Sequence, residues 1–529
     1  MQRPARLTTL TLARLLLALS VACGAAMAAA AAPGSGEVAW LSAAADADVD
    51  RAFAQARAEK KPVLLYWGAK WCPPCNQLKA TLFNRQDFIE RSRAFVPVYV
   101  DGDLPGAQKL GTRFKVRGYP TMILFNPEGV EITRLPGEVD APQVMKVLQL
   151  GLAGGRPVAA VLADAKAGKP LTANEWRLLA YYSWATDEAQ LVPEAERAGL
   201  LVSLAAAVPA QEAEVATRLW LKALAESDEG KGVKVDPALR ARVMKVLADP
   251  AASRAQMDVL TSAASEIVRA MSTKDAGGQR AAVLAAYNKV LQRLEADPTL
   301  SRADRLGALI AQIDLARIDL PKDAKKVKLP APLLKDVREQ VARADREITD
   351  GYERQAVITG AAYALSQAGL PAEADTLLKA NLAKSHSPYY LMSSLAGNAK
   401  ARGDKAEALR WYEQAFNQSE GPATRLQWGA SYVSALVELA PQDAPRIERV
   451  TSQLIAEAAA QPNAFYERSA RSLERVGKKL QAWNSAGTHA DVLKRLQAQL
   501  SPVCAKLPAD DAAQRGTCHS LLGGKGEPA

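Results

Sequence analysis

Apolar and polar positions along the first third of the chain follow one regime, and those along the rest follow another. Val63-Leu64-Leu65-Tyr66-Trp67 is an unbroken apolar run of strand length, the pattern of a buried strand. Asn76 to Arg91 then reads as a helix, Val96 to Asp101 as a second strand and Ala107 to Phe114 as a short helix. A turn and strand follow from Val116 to Phe125. From about Arg156 onward, strand-like alternation disappears and apolar residues recur at three and four, which predicts helices almost throughout. The predicted fold is multidomain, with a small α/β domain over 38–153 followed by a large all-α region. The helical part divides into 157–320 and 333–500, with a tail over 501–529. Gly154-Gly155-Arg156-Pro157 is the first expected joint. The lysine- and proline-rich stretch 322–332 is the second, and it reads as a solvated loop rather than a binding patch.

Trp71-Cys72-Pro73-Pro74-Cys75 falls between the first predicted strand and helix. Cys72 then sits at a helix N-terminus, where unpaired N–H groups and the helix dipole favour a thiolate. A thiolate attacks disulfides, and a second cysteine three residues on can resolve the mixed disulfide. Half of a zinc site has the same spacing. No second CxxC exists, however, and His386, His489 and His519 are all more than 300 residues away. The pair is therefore expected to be catalytic, with no metal and no cofactor; metal delivery through the reduced pair is a lesser alternative. Pro73 and Pro74 occupy the first helical turn, where a missing N–H is tolerated. Those are also the N–H groups that would point at the Cys72 sulfur. A moderately lowered Cys72 pKa follows, and with it a couple on the order of −180 to −250 mV, between the reducing and oxidising extremes.

The order strand, WCxxC, helix, strand, helix, then Gly118-Tyr119-Pro120-Thr121 into a strand, resembles the thioredoxin family over residues 38–153. The resemblance implies that Pro120 is cis and packs against the CxxC. It also implies that Trp71 shields the site, and that Tyr119 and Pro120 shape a groove pairing with an extended substrate chain. Two positions depart from the family. Tyr66 stands where thioredoxins usually bury an acid, and Pro97 stands where that acid often has a lysine partner. The usual proton acceptor for the resolving thiol is thus missing, leaving water, Lys70 or Glu138 to substitute. The short span from Cys75 to Pro120 has no room for the helical insertion of the oxidase DsbA, so the domain looks nearer to exported thioredoxin-like reductases. That class implies a client protein with cysteines or a disulfide, and a DsbD-type membrane electron donor.

Residues 1–32 have the form of a secretory signal peptide: Arg3, Arg6 and Arg14, an apolar core over Leu15–Ala22, and small residues over Ala25–Ala32. A periplasmic or secreted protein is expected. A lipoprotein cleaved before Cys23 and an uncleaved anchor are the alternatives. Cleavage leaves four cysteines, of which Cys504 and Cys518 are expected to form a structural disulfide in an oxidising compartment. Two unrelated thiols, or Cys518-His519 as half of a metal site, are the other readings.

The chain has 529 residues, 49% of them hydrophobic, which is enough for more than one core. Gly369-Leu370-Pro371-Ala372-Glu373-Ala374 recurs as Gly403-Asp404-Lys405-Ala406-Glu407-Ala408, an offset of 34 that resembles the tetratricopeptide repeat. Thr424–Leu439 with Pro445–Ala459 is a more divergent third pair. Asn174–Ala185, Ala210–Leu224 and Ala281–Ala296 resemble further members. Such hairpins stack because none buries its apolar face alone, and they would offer a surface to a protein partner. The competing functional class is an interaction scaffold whose CxxC senses redox state or forms an inert bridge. The net charge of +10 falls to +7 without the three leader arginines. The charges are interspersed and lack aromatic-basic interleaving, so no nucleic-acid partner is expected.

Overall fold

The computed structural model describes residues 36–137, 139–273, 278–321 and 327–523. The leader-like segment 1–32, Glu138 and the lysine-bearing stretch 322–326 lie outside them. A five-stranded sheet forms from β1 (Leu41–Ala43), β2 (Val63–Gly68), β3 (Val96–Asp101), β4 (Thr121–Phe125) and β5 (Glu131–Leu135), in the order β1-β3-β2-β4-β5. β3 is parallel to β1 and β2, while β4 is antiparallel to β2 and β5.

Alternate residues of the buried strands serve different cores. Val63, Leu65 and Trp67 of β2 pack with Val49, Phe53 and Ala56 of α1 (Asp46–Glu59). Leu64 and Tyr66 face the opposite way. They pack among Leu78 of α2 (Pro73–Leu78), Phe88 of α3 (Gln86–Ser92) and residues beyond. α4 (Ala107–Arg113) joins the first face through Leu110, and α5 (Ala141–Leu152) joins the second through Val144 and Leu148. The single helix expected over Asn76–Arg91 is interrupted. α2 ends in a π-helical turn, Lys79–Phe83, and the chain restarts as α3. The wide turn carries Phe83 into the core, where its ring centroid lies 4.7 Å from that of Tyr66 and 5.1 Å from that of Trp40.

The second face of the sheet does not end at the joint around Gly154. Its core runs on through Trp176, Leu201, Leu219, Leu260 and Leu291 to Leu315. The helix Arg302–Ala316 then turns Ala308, Ala311 and Leu315 to this core and Leu306, Leu309 and Ile313 to the next. One helix is therefore shared across the proline-flanked break. Beyond it, Gly351–Gln367, Pro371–Asn381, Pro388–Arg402, Lys405–Gln418, Pro422–Leu439 and Ala444–Ala459 pack each against the next. The 34-residue spacing holds for two units. Gly369 (φ +81°) and Gly403 (φ +83°) close the preceding helices in the left-handed conformation that glycine adopts without strain. In the next unit the helix starts five residues late, at Ala444.

Cys504, near the end of the helix Ala490–Ala505, is bonded to Cys518 in Ala512–Ser520. Both are buried beside Leu496, Leu500 and Leu521. The tail thus has more apolar anchorage than the stretch between the cysteines suggests, because Leu521 lies beyond it. Closing a loop of about 15 residues contributes roughly 3 kcal/mol in the chain-entropy model. The double substitution Cys504→Ser/Cys518→Ser is expected to speed proteolysis after residue 500 severalfold and to leave exchange at the N-terminal cysteines intact. Limited proteolysis with mass mapping reads the first, and free-thiol counting on the unmodified protein should find neither cysteine reactive.

Candidate active site: a thiol pair beneath the helical array

The register of the sheet brings three loops to one edge. Gly68 pairs with Asp101 at the parallel ends of β2 and β3, and Thr121 opens antiparallel β4 opposite Trp67. The segments leading to Cys72, leaving Asp101 and preceding Thr121 therefore converge. Cys72 caps α2, and its sulfur accepts from the Cys75 N–H at 3.2 Å. Pro73 and Pro74 fill the first two helical positions and have no N–H to offer. The two cysteines are joined as a disulfide, Cys72 3% exposed and Cys75 fully buried. The Tyr119–Pro120 peptide is cis. Tyr119 accepts from Gln108 Nε2 at 3.0 Å, and burial raises its hydroxyl pKa. Its ring crosses Gly102 so closely that a Cβ there would lie 2.5 Å from it, a contact only glycine permits.

The expected site residues Trp71, Cys72, Tyr119 and Pro120 are gathered here, but they do not face open solvent. Trp71 is held by the helical region. Its Nε1 donates to Thr424 Oγ1 at 2.9 Å, its ring lies 5.2 Å from Trp428 and 5.9 Å from Tyr390, and its carbonyl accepts from Gln355. Arg468 places its guanidinium 5.3 Å from the Trp71 ring and 5.4 Å from the Tyr119 ring. It donates to the Gly102 carbonyl at 3.0 Å and to Asp103 at 2.7 Å. Asp103 also accepts from Thr424. Gln77 of α2 donates to Asp304 at 2.7 Å. Buried Arg134 donates to the carbonyls of Phe114, Lys115 and Thr186, tying the approach to the cis peptide to the first helical lobe.

The position of the usual acid carries no proton acceptor. Tyr66 is buried between Phe83 and Tyr99, its hydroxyl has no partner among the described residues, and burial drives its pKa far up. Lys70 is drawn outward to Glu420 at 2.8 Å, away from buried Cys75. Glu138 lies outside the described residues. A group absent from local reasoning appears instead. His386 Nε2 lies 3.2 Å from Asn76 Oδ1, and Asn76 Nδ2 donates to the Cys72 carbonyl at 2.8 Å. Burial lowers the His386 pKa, and Lys70 and Lys79 add to this. Among the described residues no cluster of three or more His, Cys, Asp or Glu is placed to hold a metal ion, and no helix is long and apolar enough to cross a membrane.

Residues 49–151 match the thioredoxin-like domain family. The same part of the chain is similar to bacterial thiol:disulfide interchange proteins named DsbD. Identity is 35% over 107 residues with DsbD 2 of Pseudomonas aeruginosa, covering 20% of this chain and 18% of that protein. It is 33% over 107 residues with DsbD of Pseudomonas fluorescens, at 20% and 18% coverage. With DsbD of Cronobacter sakazakii it is 33% over 109 residues, at 20% and 19%. The chain spans less than a fifth of the length of these relatives. At the level of family, residues 49–151 form a thioredoxin-like domain, and the similarity to thiol:disulfide interchange proteins is confined to about this stretch.

The Asp103–Arg468 pair sets how tightly the array covers the thiols. Removing one member of a buried pair costs about 3–5 kcal/mol, because the other charge stays behind without its partner. Asp103→Ala is therefore expected to lower the melting temperature and to speed alkylation of the reduced cysteines at least fivefold. Mass-resolved iodoacetamide kinetics check this; unchanged alkylation would mean that the contact does not govern access.

Proposed function

We propose that the protein is an exported thiol:disulfide oxidoreductase that reduces or exchanges disulfides in envelope proteins through the Cys72–Cys75 dithiol. The observation that carries the assignment of roles is the cleft beside Trp71. Cys72 and Tyr119 line it and Cys75 does not. Cys72 is the nucleophile and Cys75 resolves. The Cys72 thiolate attacks a client disulfide, releasing one client thiolate. Cys75 then attacks the Cys72 sulfur and releases the second, so two electrons pass to the client. The cis loop at Tyr119–Pro120 offers backbone groups for an extended client segment. Trp71 and the helices that hold it keep water from the pair.

Export rests on the leader-like N-terminus and on the Cys504–Cys518 bridge, a bond that persists in oxidising compartments. As a reductase the protein needs a dithiol donor, and a DsbD-type membrane protein is the proposed source. The helical repeats are the proposed surface for a protein partner. A second reading, a scaffold with a redox-sensing or weakly catalytic domain, is favoured by the burial of both thiols and by Tyr66 at the acid position.

Reduced protein is expected to reduce insulin disulfides, with Cys72→Ser abolishing the reaction and Cys75→Ala accumulating a mixed disulfide identifiable by mass spectrometry. With a single N–H on the Cys72 sulfur, glutathione equilibration should give about −180 to −250 mV. A value near −120 mV, that of a strong oxidant, would overturn the argument from the prolines. Absence of turnover together with tight capture of a partner by the helical region would favour the scaffold.

A further inference from the structure

The cleft that reaches Cys72 has a volume of about 430 Å³, within the range of pockets that enclose a small ligand. That is room for a few residues of extended chain, not for a folded surface. One wall is made by Trp71, Cys72, Pro73, Pro74 and Tyr119. The other is the start of the helix Glu467–Trp483, which brings Arg468, Arg471 and Arg475 to the cleft. These are spaced by three and four residues, so they run along one helix face. Arg117, from the loop before the cis peptide, adds a fourth guanidinium. Glu467 is the only acidic side chain among the lining residues described.

The arginines are not all neutralised. Arg117 pairs with Glu194 at 2.6 Å, Arg468 with Asp103 at 2.7 Å, and Arg471 with Glu467 at 2.8 Å and Glu188 at 3.7 Å. Arg475 has no hydrogen-bond or ion-pair partner among the described residues, and it is exposed where it lines the cleft. The Nε of Arg468 is likewise buried without a partner among them. Guanidinium groups grip carboxylates through two parallel hydrogen bonds, which fixes the geometry of the contact as well as attracting the charge.

We propose that this arginine face selects disulfides whose flanking groups carry carboxylates, so that Cys72 meets anionic substrates ahead of neutral or cationic ones. The inference rests on thiol exchange at Cys72 and names its substrate class. The carboxylates settle on Arg471 and Arg475, which places a neighbouring sulfur at Cys72. Thiolate attack forms the mixed disulfide and expels one substrate thiolate. Attack by Cys75 forms the internal disulfide and expels the other. Two electrons leave the dithiol, the expelled thiolates take protons from solvent, and a dithiol donor must reduce the protein before the next cycle.

The test uses the full chain, reduced and freed of reductant, in single turnover. The oxidants are disulfide-linked peptide dimers identical except for two flanking glutamates, serines or lysines; glutathione disulfide runs in parallel. The glutamate dimer is expected to react about 100-fold faster than the lysine dimer at low salt, with the ratio shrinking as salt rises. Arg471→Gln/Arg475→Gln should cut that ratio at least tenfold. Arg346→Gln, an exposed residue of the helix Ala331–Glu347, removes the same kind of charge and should not. Equal rates across the three peptides, or a ratio that survives the double substitution, overturn the proposal while leaving thiol exchange standing. Glutathione disulfide matching the glutamate dimer assigns the class to small anionic disulfides, and a slower rate assigns it to acidic protein segments. Should no oxidant react, the exchange reading fails on its own. Charge selection is then decided by fluorescence anisotropy of labelled serine-for-cysteine peptides on Cys72→Ser/Cys75→Ser, where binding indifferent to charge overturns it.

Discussion

A buried ion pair between residues 365 positions apart holds the redox loops against the helices. Asp103 leaves the sheet edge beside β3, and Arg468 comes from a helix near the far end of the chain. Each has been taken out of water, so each depends on the other and on the carbonyl and hydroxyl groups around them. Around this contact the indole of Trp71 is enclosed by Thr424, Trp428 and Tyr390. A tryptophan that would otherwise lie on the rim of an open site becomes part of an interior.

The enclosure changes what controls the chemistry. In an open thioredoxin-like site, reactivity is set mainly by helix N–H groups and a buried acid. Here two prolines remove N–H groups, a tyrosine replaces the acid, and the nearest added charges come from the array. The guanidinium over Trp71 and Tyr119 comes from the helix Glu467–Trp483, and the imidazole beside Asn76 comes from the bend just before the helix Pro388–Arg402. The helical region is therefore part of the site's electrostatics as well as its cover.

The elements whose information is local are legible in the sequence. The β2 run, the CPPC turn and the change to helices near residue 156 follow from patterns within about ten residues, whereas the cis bond before Pro120 followed from the resemblance to the thioredoxin family. The break after α2 escaped because a π turn keeps the helical pattern of apolar residues while shifting their phase. Arg468 and His386 escaped for a different reason. Nothing in their own neighbourhoods marks them, and only the stacking of hairpins carries them to Cys72 and Asn76. The shared core escaped likewise, since one face of Arg302–Ala316 looks like any amphipathic helix until both of its neighbours are known. At Cys504 and Cys518 the bridge was expected from the cysteine count and an oxidising compartment, whereas the packing of Leu521 had no local signal.

A site whose walls are so far apart in sequence has a history during synthesis. The CPPC turn leaves the ribosome early, and the helix Glu467–Trp483 follows some 400 residues later. At 5–20 residues per second that is a delay of roughly 20 to 80 s. For that interval the two cysteines belong to a half-built protein with no arginine wall and no aromatic enclosure over Trp71, open to any disulfide they meet. The proposed charge selection is therefore open to the finished chain alone, and a molecule truncated before residue 467 would lack the wall that the proposal rests on.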